Sequence, residues 1–304
     1  MPARTEQPVL DERTSGDAAS VGAGLDALDA PPSAVRRTTG GRVRRIATVA
    51  LPPVVAIAIG IAIWQALWAA AFWPEYQLPS PSAVGAHVVE SVGDDKLLGW
   101  FWTSVHRAFI GFGISLLAAM PLGLAMANIK VVRRAIGPLV SGLQSLPSVA
   151  WVPAAILWFG LTDSAIYFVV LLGAVPSIAN GLVSGIDQVP PILPRVGKVL
   201  GAGRLATVRH ILLPAALPGF LGGLKQGWAF SWRSLMAAEL IATSPELGEG
   251  LGQVLHNGMS LSDQSLVFFA IFLIFLVGVG IELAVFRPLE RSVLRARGLT
   301  TALP

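Results

Sequence analysis

Long apolar runs separated by short polar stretches dominate the chain, at about 47–72, 103–128, 138–159, 164–186, 217–243 and 265–286. A run of about 20 apolar residues is long enough to cross a bilayer as a helix. In hydrocarbon every backbone N–H and C=O must find an internal partner, which leaves helix as the available form for an isolated run of this kind. Six runs therefore predict an all-α polytopic membrane protein with six transmembrane helices. Only 13% of the residues are charged and 54% are hydrophobic, whereas a soluble domain carries about a quarter charged residues.

The first run follows Arg42, Arg44 and Arg45 and ends at Ala69-Ala70-Ala71, the outline of a secretory signal. Its length of about 25 residues exceeds the 7–15 of a signal core, so it reads as an uncleaved first span. Residues 1–42, rich in Ala, Gly, Ser, Thr, Asp and Arg without apolar periodicity, read as a disordered cytoplasmic tail. Residues 43–77 hold the first span and its flank, 78–297 the other five spans, and 298–304 a short C-terminal tail. Within the polar stretch 73–102, a short surface helix is expected near 82–92.

Of the 22 Lys and Arg residues, all but Lys96, Arg107, Lys225 and Arg233 lie in the tails or in the segments after the second and fourth runs. Positive charge marks the cytoplasmic side, so both termini are expected there. The net charge of +4 is thereby a matter of topology, and no nucleic-acid partner is expected. With no cysteine, disulfides and thiolate chemistry are excluded. His87, His106, His210 and His256 show no metal-ligand spacing, so no metal site is expected.

The segment between the fourth and fifth runs is a basic island. Pro190, Pro191 and Pro194 stop the preceding helix. A short helix can follow from Arg195, with Val196, Val199 and Leu200 on one side; Gly201 and Gly203 break it, and residues 204–213 permit a second helix. Pro214 is expected at the start of the fifth span, where its missing N–H does no harm. A short helix across the membrane face, ending at glycines, can be gripped by a partner's groove; the plainer reading is a loop that only orients its neighbours. The decisive feature is the spacing from Gly201 to Ile211 and Leu213-Pro214.

That spacing resembles the second half of the EAA loop, E-A-A-x3-G-x9-I-x-L-P, of ATP-driven importers. Together with Leu78-Pro79-Ser80-Pro81-Ser82, Ile156-Leu157-Trp158-Phe159-Gly160, Ala216-Leu217-Pro218, and Trp232 with Ala237-Ala238-Glu239, it makes the chain from about 78 to 297 similar to permease subunits of bacterial ABC importers. The class is that of nitrate, sulfonate, taurine and bicarbonate transport. Arg195-Val196-Gly197 stand where the Glu-Ala-Ala letters would be. The resemblance implies a MetI-like permease fold with a cytoplasmic coupling helix, in the bacterial cytoplasmic membrane. It implies a coupling site for a separate ATPase at 190–214: Arg195, Val196, Gly197, Val199, Leu200, Gly201, Ala202, Gly203, Arg204, Ile211, Leu213 and Pro214. It also implies two ATP-binding cassette subunits carrying ATP and magnesium, an extracytoplasmic solute-binding protein, a second permease copy as a homodimer, and alternating access. The cargo it implies is a small organic or inorganic anion.

This chain has no phosphate loop of its own: Gly197-Lys198 is followed by Val199, and Ile192 occupies the required upstream glycine position. Nor does it have a nucleophile elbow or a His-Glu-x-x-His pair, so a transport subunit, not an enzyme, is expected. Ionisable residues inside spans are costly and face a cavity or a partner. Arg233 and Glu239 are therefore candidates for the translocation path, with a pairing between helices as the alternative for each; Lys225 reads as structural. Pro147 and Pro153 can kink the third span and free carbonyls, and with Ser145, Ser148 and Trp158 they could shape a pore. Gly219, Gly223 and Gly227, with Gly181 and Gly185 on span four, form smooth strips suited to close helix packing. An ion-coupled secondary transporter or channel working without an ATPase is the alternative function.

Overall fold

The computed structural model describes residues 39–93 and 96–297. The expected disordered tail, apart from its last four residues, and the C-terminal tail lie outside them. The chain divides into two units at the 62/63 boundary. The first holds most of α1 (Thr39–Ala69); the second runs from Ile63 onward.

In the second unit, α2 (Pro81–Gly93) is the surface helix expected near 82–92. Ser80 caps it, its Oγ accepting the Ala83 N–H at 3.1 Å, and Pro81 fills the first position, where a missing N–H costs nothing. Then come α3 (Lys96–Asn128), α4 (Lys130–Ser145), a 3-10 turn (Ser148–Trp151), α5 (Val152–Phe159) and α6 (Asp163–Asp187). The basic island forms α7 (Ile192–Val199) and α8 (Arg204–Thr207), and a π turn (Val208–Leu212) leads into α9 (Leu213–Ile241). A 3-10 turn (Pro245–Leu247), α10 (Leu251–Ser260), α11 (Gln264–Ile281), a second π turn (Glu282–Phe286) and α12 (Arg287–Ala296) complete it. Among the described residues four helices are long and apolar enough to cross a membrane, or five if the bent pair α4–α5 counts as one; Val54–Ala69 is a shorter apolar helix.

The core is built around α6, whose buried positions include Ile166, Val169, Val170, Ile178 and Leu182. Its tightest neighbour is α9. A Cβ on Gly181 would collide with the Gly223 backbone, and one on Gly185 would meet the Ala216 carbonyl at 2.9 Å. Gly227 makes room for Ile178. The two glycine strips thus face each other within one subunit, letting the backbones touch where apolar burial alone gives little drive.

Three expectations change. The third apolar stretch breaks far more sharply than a kinked helix: α4 and α5 meet at 95°. Pro147 holds Leu146 extended at ψ 127° and ends α4, because a residue before proline is pushed out of the helical region. Pro153 sits in the first turn of α5, where it is harmless. Second, Pro214 does not start a helix, since residues 204–241 run as one continuous helix. The π turn is the device: the Leu213 N–H bonds to the Val208 carbonyl, one residue further back than in an α-helix, just ahead of the proline. The same device precedes Pro288, with the Arg287 N–H bonded to the Glu282 carbonyl. Third, the polar loop expected between the last two spans contains α10, with Leu251, Gln253 and Val254 buried.

Candidate functional site

The basic island has a defined turn at its centre. α7 ends in a Schellman arrangement: the Ala202 N–H bonds to the Gly197 carbonyl at 2.9 Å and the Gly201 N–H to that of Lys198 at 3.0 Å. This geometry puts Gly201 at φ +80° with nothing within 4 Å of where a Cβ would be. The glycine of the G-x9-I spacing is needed for its conformation, not for space. The isoleucine has a different partner. A Cβ on Gly197 would collide with the Ile211 side chain, so the packing of α7 on the π turn depends on Gly197 and Ile211 together. Arg195, Val196, Val199, Leu200, Gly203 and Arg204 are exposed on this surface, while Ala202, Ile211, Leu213 and Pro214 are half-buried. Val199, Leu200 and Leu205 are 87%, 80% and 81% exposed. These open apolar side chains are set among cations, giving an exposed surface of mixed character.

The break between α4 and α5 creates the second feature, a cavity of about 380 Å³. Ser145, Pro147, Ser148 and Gly173 line it from one side and Phe230 and Arg233 from α9. Ser148 Oγ and Ser234 Oγ lie 2.6 Å apart, and Gly173 makes room for them, since a Cβ there would strike the Ser234 hydroxyl. One turn along α6 the polar line continues, with Gln144 Nε2 donating to Ser177 Oγ at 3.1 Å and Asn180 Nδ2 to Gln144 Oε1 at 2.9 Å. The Arg233 guanidinium lies 5.4 Å from the Phe230 ring centre. It is exposed and has no carboxylate partner among the described residues.

The structure brings Ser145, Ser148 and Arg233 together and sets Trp158 and Glu239 elsewhere. Trp158 is exposed and packs edge-on against Phe168 at 5.6 Å. Glu239, six residues from Arg233 and so on another face of the helix, is fully buried. Its Oε1 accepts from Arg107 Nη1 at 3.2 Å; its Oε2 accepts from Ser104 Oγ at 2.7 Å and from the Gly252 N–H at 3.0 Å. Arg107, itself buried, also donates to Asp163 at 2.8 Å and to the Leu247 carbonyl. This cluster pins the 245–252 segment to α3, α6 and α9, the helix-pairing alternative for Glu239. Its hub, Arg107, was missed in the sequence; the available signal was a cation within an apolar run. Lys225 is bridged to Glu282 at 2.9 Å and Glu290 at 3.1 Å, a structural tie between α9 and the α11–α12 helix.

The nitrate import permease protein NrtB of Synechococcus elongatus is 27% identical over 83% of this chain and 92% of its own length. The taurine transport system permease protein TauC of Escherichia coli is 26% identical over 72% and 82%. In fold, 65% of the chain superposes on 95% of a chain from the MetNI methionine ABC transporter, solved in inward-facing conformations, at a TM-score of 0.56 and 20% identity. The profile of the binding-protein-dependent transport system inner membrane components matches residues 119–291, a stretch holding both the exposed turn at Gly201 and the cavity at Arg233. The chain accordingly belongs to that family, the membrane-spanning permease subunits of ABC importers, whose ATPase is a separate chain.

Proposed function

We propose that this permease moves a small anion, such as nitrate, taurine or an aliphatic sulfonate, across the cytoplasmic membrane by alternating access between two copies of the chain. Family membership implies an ATPase and a solute-binding protein as partners. Two ATP-binding subunits, carrying ATP and magnesium, would dock on the 195–205 surface, with both termini on the same cytoplasmic side. The binding protein would deliver its ligand to the opposite face, near 74–102 and 244–263. ATP binding drives the cycle only if the docked ATPase contacts the two cavity states differently.

The observation that carries this reading is Arg233. It sits about two turns from the outer end of α9, exposed in the single subunit and unpaired among the described residues. Gly222, Gln226 and Arg233 are exposed along one side of the helix. A cation at such a depth is costly against lipid tails, so this side is expected to face a water-filled path and a second copy. The guanidinium supplies five donors for an oxyanion, and Ser148 lines the same cavity. The names of the nitrate and taurine relatives point to the same cargo chemistry.

The test is uptake into proteoliposomes holding the permease with its ATP-binding subunits and binding protein. Arg233→Leu should lower uptake of nitrate or taurine at least about tenfold, the equivalent of one lost charge-assisted contact, while the complex still assembles. Unchanged uptake would remove Arg233 from the path.

A further inference from the structure

We propose, building on the ATPase-docking reading above, that the basic cavity between α7–α8 and the end of α3 receives an acidic, amphipathic segment of the ATP-binding subunit, so that subunit pairing is selected by charge. The cavity measures about 990 Å³ and is lined by Lys130, Lys198 and Arg204 over an apolar wall that includes Leu124, Leu205 and Val208. Lys130 opens α4 and comes from outside the coupling segment altogether. No carboxylate lines the cavity, and none of the three cations pairs with another described residue. The chain has no acidic residue between Asp187 and Glu239, and Asp187 is held by Arg133 at 3.0 Å.

Three cations elsewhere on the described chain do have internal partners. Arg133 has Asp187, Lys225 has Glu282 and Glu290, and Arg297 donates to the Pro214 carbonyl. Three like charges around one cavity repel one another unless a counter-charge enters. The open apolar side chains beside them, Val199, Leu200 and Leu205, also need cover. A free phosphate would meet only the charge. A protein segment carrying carboxylates among apolar side chains meets both, and the cavity is continuous with the surface where an ATPase would sit. Charge complementarity of this kind sets partner choice and association rate more than raw affinity. Arg195, standing where the related loop has a glutamate, adds to the same bias.

Dissociation constants for the ATP-binding subunit that co-purifies with the wild-type chain test this, measured on nanodiscs of zwitterionic lipid alone and of zwitterionic plus anionic lipid. We expect Lys130→Glu with Lys198→Glu to weaken binding about 100-fold and Lys130→Gln about tenfold in both lipids. Raising the salt should narrow the gap. Reversing acidic residues in that ATPase segment to lysine should recover part of the loss. Binding by the double variant within about twofold of wild type would overturn the idea, as would a charge effect confined to anionic nanodiscs, which would make a lipid headgroup the occupant. Wild-type chain that binds no ATP-binding subunit would instead sink the importer reading itself. Elution as a single symmetric species separates misfolded variants from weakened ones.

Discussion

Gly201 occupies a backbone region that costs an L-residue about 1–2 kcal/mol, and open space surrounds its Cα. Gly201→Ala should therefore fold and insert, lower the melting temperature modestly, and loosen ATPase association through a misplaced turn. A melting curve and a pull-down check the two effects together, and an unaltered pull-down would show that the turn geometry is dispensable. Glu239 is the opposite case. Removing a buried carboxylate whose partner Arg107 stays in place costs about 3–5 kcal/mol, so Glu239→Ala should collapse the yield of folded protein, while Arg107→Ala with Glu239→Ala should recover some of it. A double variant no better than the worse single one would contradict the pairing. These two residues show what a single line of sequence conveys. The glycine's spacing is visible because local chemistry sets it. The fate of Glu239 is not, because its partners Ser104, Arg107 and Gly252 are distant in the chain.

At the level of helices, the glycine strips on α6 and α9 were legible because a repeat of four places them on one face, and the structure pairs them within one subunit. Gly223→Leu should drive α6 and α9 apart and give aggregated material on size exclusion, since a Cβ at Gly223 already meets the Gly181 backbone. Gly280→Leu, an exposed glycine of α11 with nothing within 4 Å of its Cβ position, should leave a monodisperse protein; similar profiles for both would argue against the interface. The bend between α4 and α5 was half legible. Pro147 announced a disruption, but its size, 95°, depends on which neighbours receive the two halves. α10 was missed because its polar residues masked an apolar set, Leu251, Val254, Leu255 and Gly258, at helical spacing. The continuous helix through Pro214 was missed because a proline normally stops a helix, and only an extra residue in the preceding turn makes room for it.

For the whole molecule, the natural absence of cysteine offers a direct check of sidedness. Leu200→Cys should react with an impermeant maleimide only from the cytoplasmic side, and Asn257→Cys only from the other; labelling of Leu200→Cys from outside would invert the topology. The all-helical apolar character and the family resemblance were readable in the chain, since bilayer thickness is written in composition; the expected count of six spans was not matched, as the described residues hold four helices of spanning length, or five with the bent pair. The cavities were not readable, because they arise from which helices meet. The unbroken helix from Arg204 to Ile241 has one more consequence. Arg204 and Arg233 stand roughly 40 Å apart along one helix, with the π turn and Pro214 near its Arg204 end. A lean of about five degrees at the base would carry the far guanidinium sideways by roughly 4 Å, so force applied at the Arg204 end would reach the proposed anion site as leverage through one piece of backbone.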